Sequence, residues 1–315
     1  MTSAGEGPAT DNAPAPDLSV VISTHARPAE VREAIDAVRH QDHPGPIETV
    51  VVWDKAEPEW GLADDDPYRP VRVLANDRTP GLPGSRNTGA AAASSPVLGF
   101  CDDDDLWLAP KARRQLDLLD GSGAEAVVSG IEILTDGRRV ARPGTGAPLR
   151  YADLLRSRHL EACMVTAMVR RDAFWDGIGP MAEDLPGGYA EDYEWMLRAA
   201  RRAPVPVVSD PMVQVRWAEA SSHYRQRWGD WEAALAMVVD HNPEFAAVPR
   251  GRARIEGQRA VAMAAQGRRH DALAQVRATL GWSVREPRAY LALLVAAGLP
   301  ADILTRAVNR LGRGI

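Results

Sequence analysis

Hydrophobic residues along this chain come first as short β-branched runs separated by amphipathic or small-residue segments. The run 18-LSVVIS-23 has the length and composition of a buried parallel strand. Pro28 then stands at a favourable first-turn position for an amphipathic helix over 28-PAEVREAIDAVRHQ-41. A second strand follows at 47-IETVVVW-53 and a weaker third at 71-VRVLA-75. The small residues of 85-SRNTGAAAAS-94 predict another helix. The run 97-VLGFC-101 predicts a strand that ends directly in 102-DDDD-105, with Leu106-Trp107 opening the next helix. This repeated β-α-β order argues for a doubly wound, mostly parallel sheet.

The second half is more mixed. Strands are predicted at 125–134 and 138–143, as a hairpin around Asp136-Gly137, and again at 163–171, 205–210 and 212–217. A short helix is expected near 172–176. The Gly/Pro-rich stretch 179-GPMAEDLPGG-188 reads as a loop leading into a helix at 190–202. From about residue 226 the pattern is helical: 227–242, 250–267, 269–281, 286–298 and 300–312, mostly separated by Pro or Gly. Within the helix at 190–202, Glu194 and Arg198 have the i,i+4 spacing of a surface pair.

Ligands of such sheets bind beyond the carboxyl ends of the strands. Three polar clusters fall there: 23-STHAR-27 after the first strand, Asp54 after the second and Asp102–Asp105 after the fourth. Their convergence follows from topology alone.

Composition narrows the classes. The 315 residues carry 37 Lys+Arg against 43 Asp+Glu, a net charge of −6 with no nucleic-acid signature. All basic residues but Lys55 and Lys111 are arginine. Residues 226–315 hold 13 Arg against 8 acidic residues, so the earlier part carries the negative charge, which suggests two parts with different jobs. Cys101 and Cys163 lie far apart and form neither a CxxC nor a zinc spacing; two reduced thiols are expected, as in a cytosol. The first 17 residues, rich in Ala and Pro, read as a disordered tail and neither as a signal peptide nor as an anchor. No run approaches the ~18 apolar residues of a membrane span. A cytoplasmic protein is expected, with membrane association left open.

Three constellations can carry chemistry. Four consecutive carboxylates repel one another unless a cation sits among them, and Mg²⁺ or Mn²⁺ is commonly held by one or two carboxylates plus substrate phosphates. The plain alternative for 102-DDDD-105 is a solvated acidic turn. The pair 191-ED-192 opens a helix after a Gly-rich loop. Acids there can simply stabilise the helix dipole, or one can act as a general base toward a hydroxyl. In 86-RN-87, Arg86 could meet a phosphate or lie on a helix surface. GxxxxGK[ST], GxGxxG after the first strand, HExxH and GxSxG are all absent, which argues against P-loop kinases, Rossmann dehydrogenases, zincins and serine hydrolases.

Taken together, these pieces resemble the family 2 glycosyltransferases. The resemblance runs through 20-VVISTHARP-28, 47-IETVVVWD-54, 81-GLPGSRNTGAAAA-93, 99-GFCDDDDLWLAPK-111 and 191-EDYEWMLR-198, and covers about residues 18–217. It implies a GT-A catalytic domain at 18–225, with a nucleotide-sugar half at about 18–110 and an acceptor half at about 111–225, followed by a helical region at 226–315. Donor-binding residues would be Ser23, His25, Arg27, Asp54, Arg86, Asp102 and Asp103. Ser23, His25 and Asp54 would line the base pocket, with Asp54 accepting from a base N–H. Arg86 would approach base or phosphate, and Asp102 and Asp103 ribose or metal waters. Asp104 would bind Mn²⁺ or Mg²⁺ directly, and Asp105 would support the following turn. Asp192 would be the catalytic base, with Glu191 near the acceptor. Many members carry a histidine after the last core strand, which points to His223 as a metal or diphosphate contact, with a surface histidine as the alternative and Trp217 filling part of the space.

The implied activity is inverting transfer of a sugar from a nucleoside diphosphate, UDP first, to an acceptor hydroxyl on a saccharide, a lipid-linked sugar or a natural product. A sugar-phosphate nucleotidyltransferase would want a Gly-rich phosphate loop with Arg and Lys after the first strand, which 23-STHARPAE-30 lacks. A non-catalytic nucleotide-sugar binding protein is the other alternative. The helical tail has three readings: a packing or homodimerisation appendage, an acceptor-binding lid, or a peripheral membrane contact through Arg306, Arg310 and Arg313.

Overall fold

The computed structural model describes residues 17–135, 137–159, 161–216 and 227–301. The early part follows the expected pattern: β1 (Leu18–Thr24), α1 (Pro28–Arg39), β2 (Ile47–Trp53), β3 (Val71–Ala75), α2 (Leu82–Ala92) and β4 (Val97–Asp102). These strands pair in the order β3-β2-β1-β4, all parallel. The β-branched runs are buried on both faces, as a sandwiched parallel sheet requires. Val20, Ile22 and Val51 pack against Val31, Ile35 and Val38 of α1, while Val21, Val50 and Phe100 point to the opposite layer. Gly89 lets α2 lie close on that opposite face. A Cβ there would stand 2.3 Å from Val21 Cγ1.

After β4 the chain departs from the expectation. Leu106-Trp107 does not open a helix. It forms a short strand, β5 (Leu106–Trp107), and α3 (Lys111–Ser122) begins beyond Pro110. The Trp107 indole N–H donates to the Phe100 carbonyl at 3.2 Å, folding the segment back on β4. The hairpin is present as β6 (Ala126–Thr135) and β7 (Arg138–Arg142). A short helix that the pattern did not indicate follows, α4 (Tyr151–Arg156). The strand expected at 163–171 shrinks to β8 (Met168–Arg170). The residues before it coil into a 3-10 turn, where Thr166 Oγ1 donates to the Glu161 and Cys163 carbonyls. The short helix near 172 is a π-type turn, Ala173–Gly177, capped by Asp172.

The helix after the Gly-rich loop is α5 (Glu191–Arg202). The two strands expected at 205–217 are one continuous β9 (Val207–Arg216), and its irregularity is absorbed by a register shift around Gly130. The sheet continues from β4 through β8, β6 and β9 to β5, with β8 antiparallel to its neighbours. The helices α6 (Trp228–His241), α7 (Pro249–Ala265), α8 (Arg269–Trp282) and α9 (Pro287–Ala296) complete the described chain. Trp231, Leu235, Val238 and Val239 of α6 join the core layer that contains Trp195 and Leu197 of α5, so the helical region is continuous with the sheet domain. Among the described residues no helix is long and apolar enough to cross a membrane. The tail before residue 17, Trp217, His223 and the last helix, with Arg306, Arg310 and Arg313, lie outside the described residues, so the expectations placed on them are not addressed.

One charged pair differs from its sequence reading, and one lysine is enclosed. Glu194 and Arg198 do pair, at 2.8 Å, but not at the surface. Glu194 is buried, and Arg198 also donates to the carbonyls of Ile178 and Pro180, tying α5 to the preceding loop. Lys111 is fully buried. Its ammonium donates to the Thr166 carbonyl at 3.0 Å and to Gln115, and sits 4.5 Å from the Trp107 ring centroid. Burial pulls its pKa down to about 7. Cys101 and Cys163 are not bridged.

Candidate active site

The polar clusters converge where topology places them. Ser23 at the end of β1 lies in register with Asp102 at the end of β4, and Thr24 with Trp53 at the end of β2. Beyond β1 the chain turns through Ala26 in the left-handed region (φ 54°), which brings Arg27 back toward the aspartates just ahead of α1.

The four aspartates separate by environment. Asp103 is buried. Its Oδ2 accepts from Thr24 Oγ1 (2.7 Å) and the His25 backbone N–H (3.4 Å), and its Oδ1 from Arg27 Nη1 (3.0 Å). Burial pushes its pKa up to about 6 against the pull of Thr24 and Arg27, with Asp104 and Asp102 adding to the rise. Asp105 is also buried and takes the Arg216 backbone N–H at 3.3 Å. Burial and the neighbouring Asp102 and Asp104 raise its carboxyl well above the usual range. Asp102 and Asp104 are the accessible pair. Each gives one oxygen to an arginine: Asp102 Oδ1 to Arg86 Nη2 (2.8 Å), and Asp104 Oδ2 to Arg27 Nη1 (2.6 Å).

Arg86 is the hinge of the site. It is buried on α2, and its second amino group donates to Glu191 Oε1 at 2.9 Å. The sequence alternative of a helix-surface arginine is therefore excluded. One guanidinium joins the aspartates at the end of β4 to the acidic pair at the start of α5. Ala190 supports that meeting: it adopts φ 61°, a left-handed conformation that turns the Gly-rich loop into α5. Burial, with Asp192 beside it, pushes Glu191 up to about 7 although Arg86 pulls the other way. Asp192 is less enclosed. Its Oδ1 accepts from the Tyr193 N–H (2.6 Å) and its Oδ2 from Arg158 Nη2 (2.8 Å).

At the end of β2, Asp54 Oδ1 accepts from Asn76 Nδ2 (2.8 Å) and the Asp54 carbonyl takes the His25 ring N–H (2.7 Å), so Nδ1 carries the proton there. Ser23 Oγ is buried and has no hydrogen-bond partner among the described residues. Next to Arg86, the Asn87 amide donates to the Met181 carbonyl and accepts the Met181 N–H, both at 2.9 Å, and also donates to Glu183 (2.7 Å). Thr24, Asn76, Arg158 and Glu183 had no assigned part in the sequence reading. Thr24 was inside 23-STHAR-27, whereas Arg158 and Glu183 carry no local signal.

Asp102 and Asp104 fit a hard divalent cation. Both are accessible carboxylates at the sheet edge, each with a second oxygen that no described residue engages. No group of three or more His, Cys, Asp or Glu among the described residues is arranged to hold a metal. Two such carboxylates are a number with which Mg²⁺ or Mn²⁺ is commonly held when ligand phosphates complete its coordination.

The profile of the family described as "Glycosyl transferase family 2" matches residues 19–178, and the chain belongs to that family. Its fold is GT-A. Among curated relatives, the succinoglycan biosynthesis protein ExoO of Rhizobium meliloti (strain 1021) is 32% identical over 135 residues, 42% of this chain and 37% of that protein. The Escherichia coli UDP-Glc:alpha-D-GlcNAc-diphosphoundecaprenol beta-1,3-glucosyltransferase WfgD is 26% identical over 87 residues, 28% of this chain and 34% of that protein. The matches thus span little more than a third of these relatives' length. Among solved structures, S. aureus TarS 1-349 in complex with UDP-GlcNAc superposes with a TM-score of 0.64 at 15% identity, covering 94% of this chain and 92% of that one. The Pyrobaculum calidifontis mannosyltransferase PcManGT, in complex with GDP-Man and Mn2+, does so at 0.54 and 19% identity, covering 96% and 82%. At these identities the superpositions speak for the fold alone.

Proposed function

We propose that this chain transfers a sugar from a nucleoside diphosphate to an acceptor hydroxyl with inversion, with Asp192 as the general base. The observation that carries this reading is the double ion pair of Arg86, which holds Asp102 at the donor end of the sheet and Glu191, next to Asp192, in one site. A donor laid across the strand ends would meet Ser23, His25 and Asp54 with its base. Its diphosphate would reach Asp102 and Asp104, and its anomeric carbon would face α5. UDP is the first candidate, given the UDP-GlcNAc of TarS and the UDP-Glc of WfgD.

Asp192 Oδ2 takes the proton of the acceptor hydroxyl. The hydroxyl oxygen forms the new bond to the anomeric carbon, and the bond from that carbon to the diphosphate oxygen breaks with its electron pair leaving on the nucleotide. A single displacement inverts the configuration, and no enzyme nucleophile is required. A divalent cation bound by Asp104 and Asp102 would supply positive charge to the departing diphosphate. Glu191 and Arg86 keep the start of α5 in place, so that Asp192 is presented at a fixed height.

A thermal-shift panel of UDP, GDP and dTDP, each with and without Mn²⁺, tests this reading. Stabilisation that needs both nucleotide and Mn²⁺ is expected, about 2.7 kcal/mol at a hundredfold excess over Kd. No shift with any nucleotide would overturn it.

A further inference from the structure

Among the described residues ten large apolar side chains are exposed, and seven of them lie between Leu273 and Leu299. α9 buries Ala289, Ala292 and Val295 against α7 and α8. Its outer face is apolar as well: Pro287, Tyr290, Leu293 and Leu294, with no charge among them. A surface helix ordinarily turns polar residues to water, and one that is apolar all round is covered by something.

The face is held in shape from beneath. Gly257 of α7 lets the start of α9 come close, since a Cβ there would stand 2.9 Å from Arg288 Cβ. The Tyr290 hydroxyl donates to the Val284 carbonyl at 2.7 Å, which ties the turn between α8 and α9 to α9. Leu280 and Leu291 pack on the same small core and close the seam between the two helices. Because α8 and α9 each bury one side against α7, their other sides face solvent together, with Leu273 and Arg277 on the α8 side.

The free charges of this face have one sign. Arg268 pairs with Asp271 and Arg288 with Glu286, which accounts for both carboxylates between residues 268 and 299. Arg269, Arg277 and Arg285 are exposed and form no ion pair among the described residues. A second copy docked here in two-fold fashion would set arginine against arginine, with no free carboxylate to answer them. An anionic lipid surface satisfies both features, because it takes apolar side chains at the acyl boundary and guanidiniums at its phosphates.

We infer that the outer face of α8, α9 and the turn between them docks the protein on an anionic membrane surface. Val284, Tyr290, Leu293 and Leu294 enter the headgroup boundary, and Arg269, Arg277 and Arg285 meet lipid phosphates. This goes beyond the sugar-transfer reading and does not depend on it. With a net charge of −6 the chain as a whole is repelled by such a surface, so attachment requires this one orientation.

Co-sedimentation of the full chain with vesicles of phosphatidylcholine, and of phosphatidylcholine mixed with phosphatidylglycerol, tests the inference. Binding at least about tenfold tighter to the anionic vesicles is expected, weakening as salt is raised. Val284→Ser combined with Leu294→Ser should weaken it by about tenfold or more. Arg277→Gln combined with Arg285→Gln should do the same at low salt and less at high salt. All four side chains are exposed, so both variants should keep the Tm of the parent. Trp60→Ser, which removes a similarly exposed apolar residue from the sheet domain, should leave binding unchanged. No binding by the full chain, equal binding to both vesicles, or a loss in Trp60→Ser as large as in Val284→Ser/Leu294→Ser overturns the membrane face. A dimer in light scattering that Val284→Ser/Leu294→Ser dissociates would assign the face to a second copy and overturn it equally.

Discussion

Arg86 on α2 donates to Glu191 at the first position of α5 at 2.9 Å, across 105 residues of chain. Because the same side chain holds Asp102 at 2.8 Å, removing it strands the buried Glu191 carboxylate and leaves the more accessible Asp102 without its cation. Arg86→Met should cost about 3–5 kcal/mol in denaturant unfolding, the range seen when one partner of a buried pair is deleted. Arg86→Lys should recover only part of this, since one ammonium lacks the fork that spans both acids. A loss below about 1 kcal/mol would show that the two carboxylates do not depend on this bridge.

Asn87 acts on the other end of the same loop. Its amide pairs with both backbone groups of Met181 like a neighbouring strand, and its neighbour Arg86 holds Glu191. Asn87→Ala should free residues 179–190 while leaving the sheet intact, at a stability cost of about 1–3 kcal/mol for the stranded polar groups. Amide exchange in 179–190 should accelerate by about tenfold or more, with β1, β2 and β4 unchanged. Uniform acceleration throughout the chain would mean that Asn87 serves the whole fold rather than the loop.

Glu191 makes stability pH-dependent in a direction that is unusual for a carboxylate. Burial raises its native pKa to about 7, above the unfolded value of about 4.5. The native chain therefore keeps a proton that the unfolded chain has released. This contribution is complete below pH 4.5 and disappears as pH rises through 7. Between those limits the wild type should lose on the order of 1–3 kcal/mol relative to Glu191→Gln, whose amide does not titrate. Parallel pH profiles for the two proteins would rule the effect out.

Asp192→Asn addresses the chemistry. The amide keeps the shape of the side chain and can accept a hydrogen bond from Arg158, but it cannot take a proton at the acceptor hydroxyl. Turnover should fall by about 10²–10⁴ while the nucleotide–Mn²⁺ shift stays in place. Unchanged turnover in a sugar-transfer assay would move the base elsewhere.

The sequence shows the sheet edge more clearly than the acceptor side. The runs at 18–23, 47–53 and 97–101 announced parallel strands because burial on both faces demands unbroken β-branched residues, and topology then brought Ser23, Asp54 and Asp102 together. Leu106-Trp107 carries no strand signal because two residues have no period. Only the Trp107 bond to the Phe100 carbonyl reveals them as a strand. Glu194 and Arg198 matched a surface spacing, but exposure depends on what packs over α5, here the loop carbonyls of Ile178 and Pro180. Arg158 is unreadable for a related reason: its partner is Asp192 on α5, 34 residues further along the chain, and nothing in its local pattern reports that pairing.

Arg27 bears on how four adjacent carboxylates are tolerated. Two of the four, Asp103 and Asp104, share its Nη1, at 3.0 and 2.6 Å, so in the absence of ligand a side chain supplies the neutralising charge. A cation at Asp104 must then compete with Arg27. Arg27→Gln removes the competitor and leaves Asp102, Asp103 and Asp104 repelling one another. Mn²⁺ affinity without nucleotide should therefore rise by about 3- to 10-fold, about 1 kcal/mol, as read by the loss of free-Mn²⁺ signal in an electron-paramagnetic-resonance titration. Asp104→Asn should shift the same titration the other way. Weaker Mn²⁺ binding in Arg27→Gln would mean that Arg27 organises the carboxylates for the metal instead of standing in for it, and the nucleotide would then have to find a site already built.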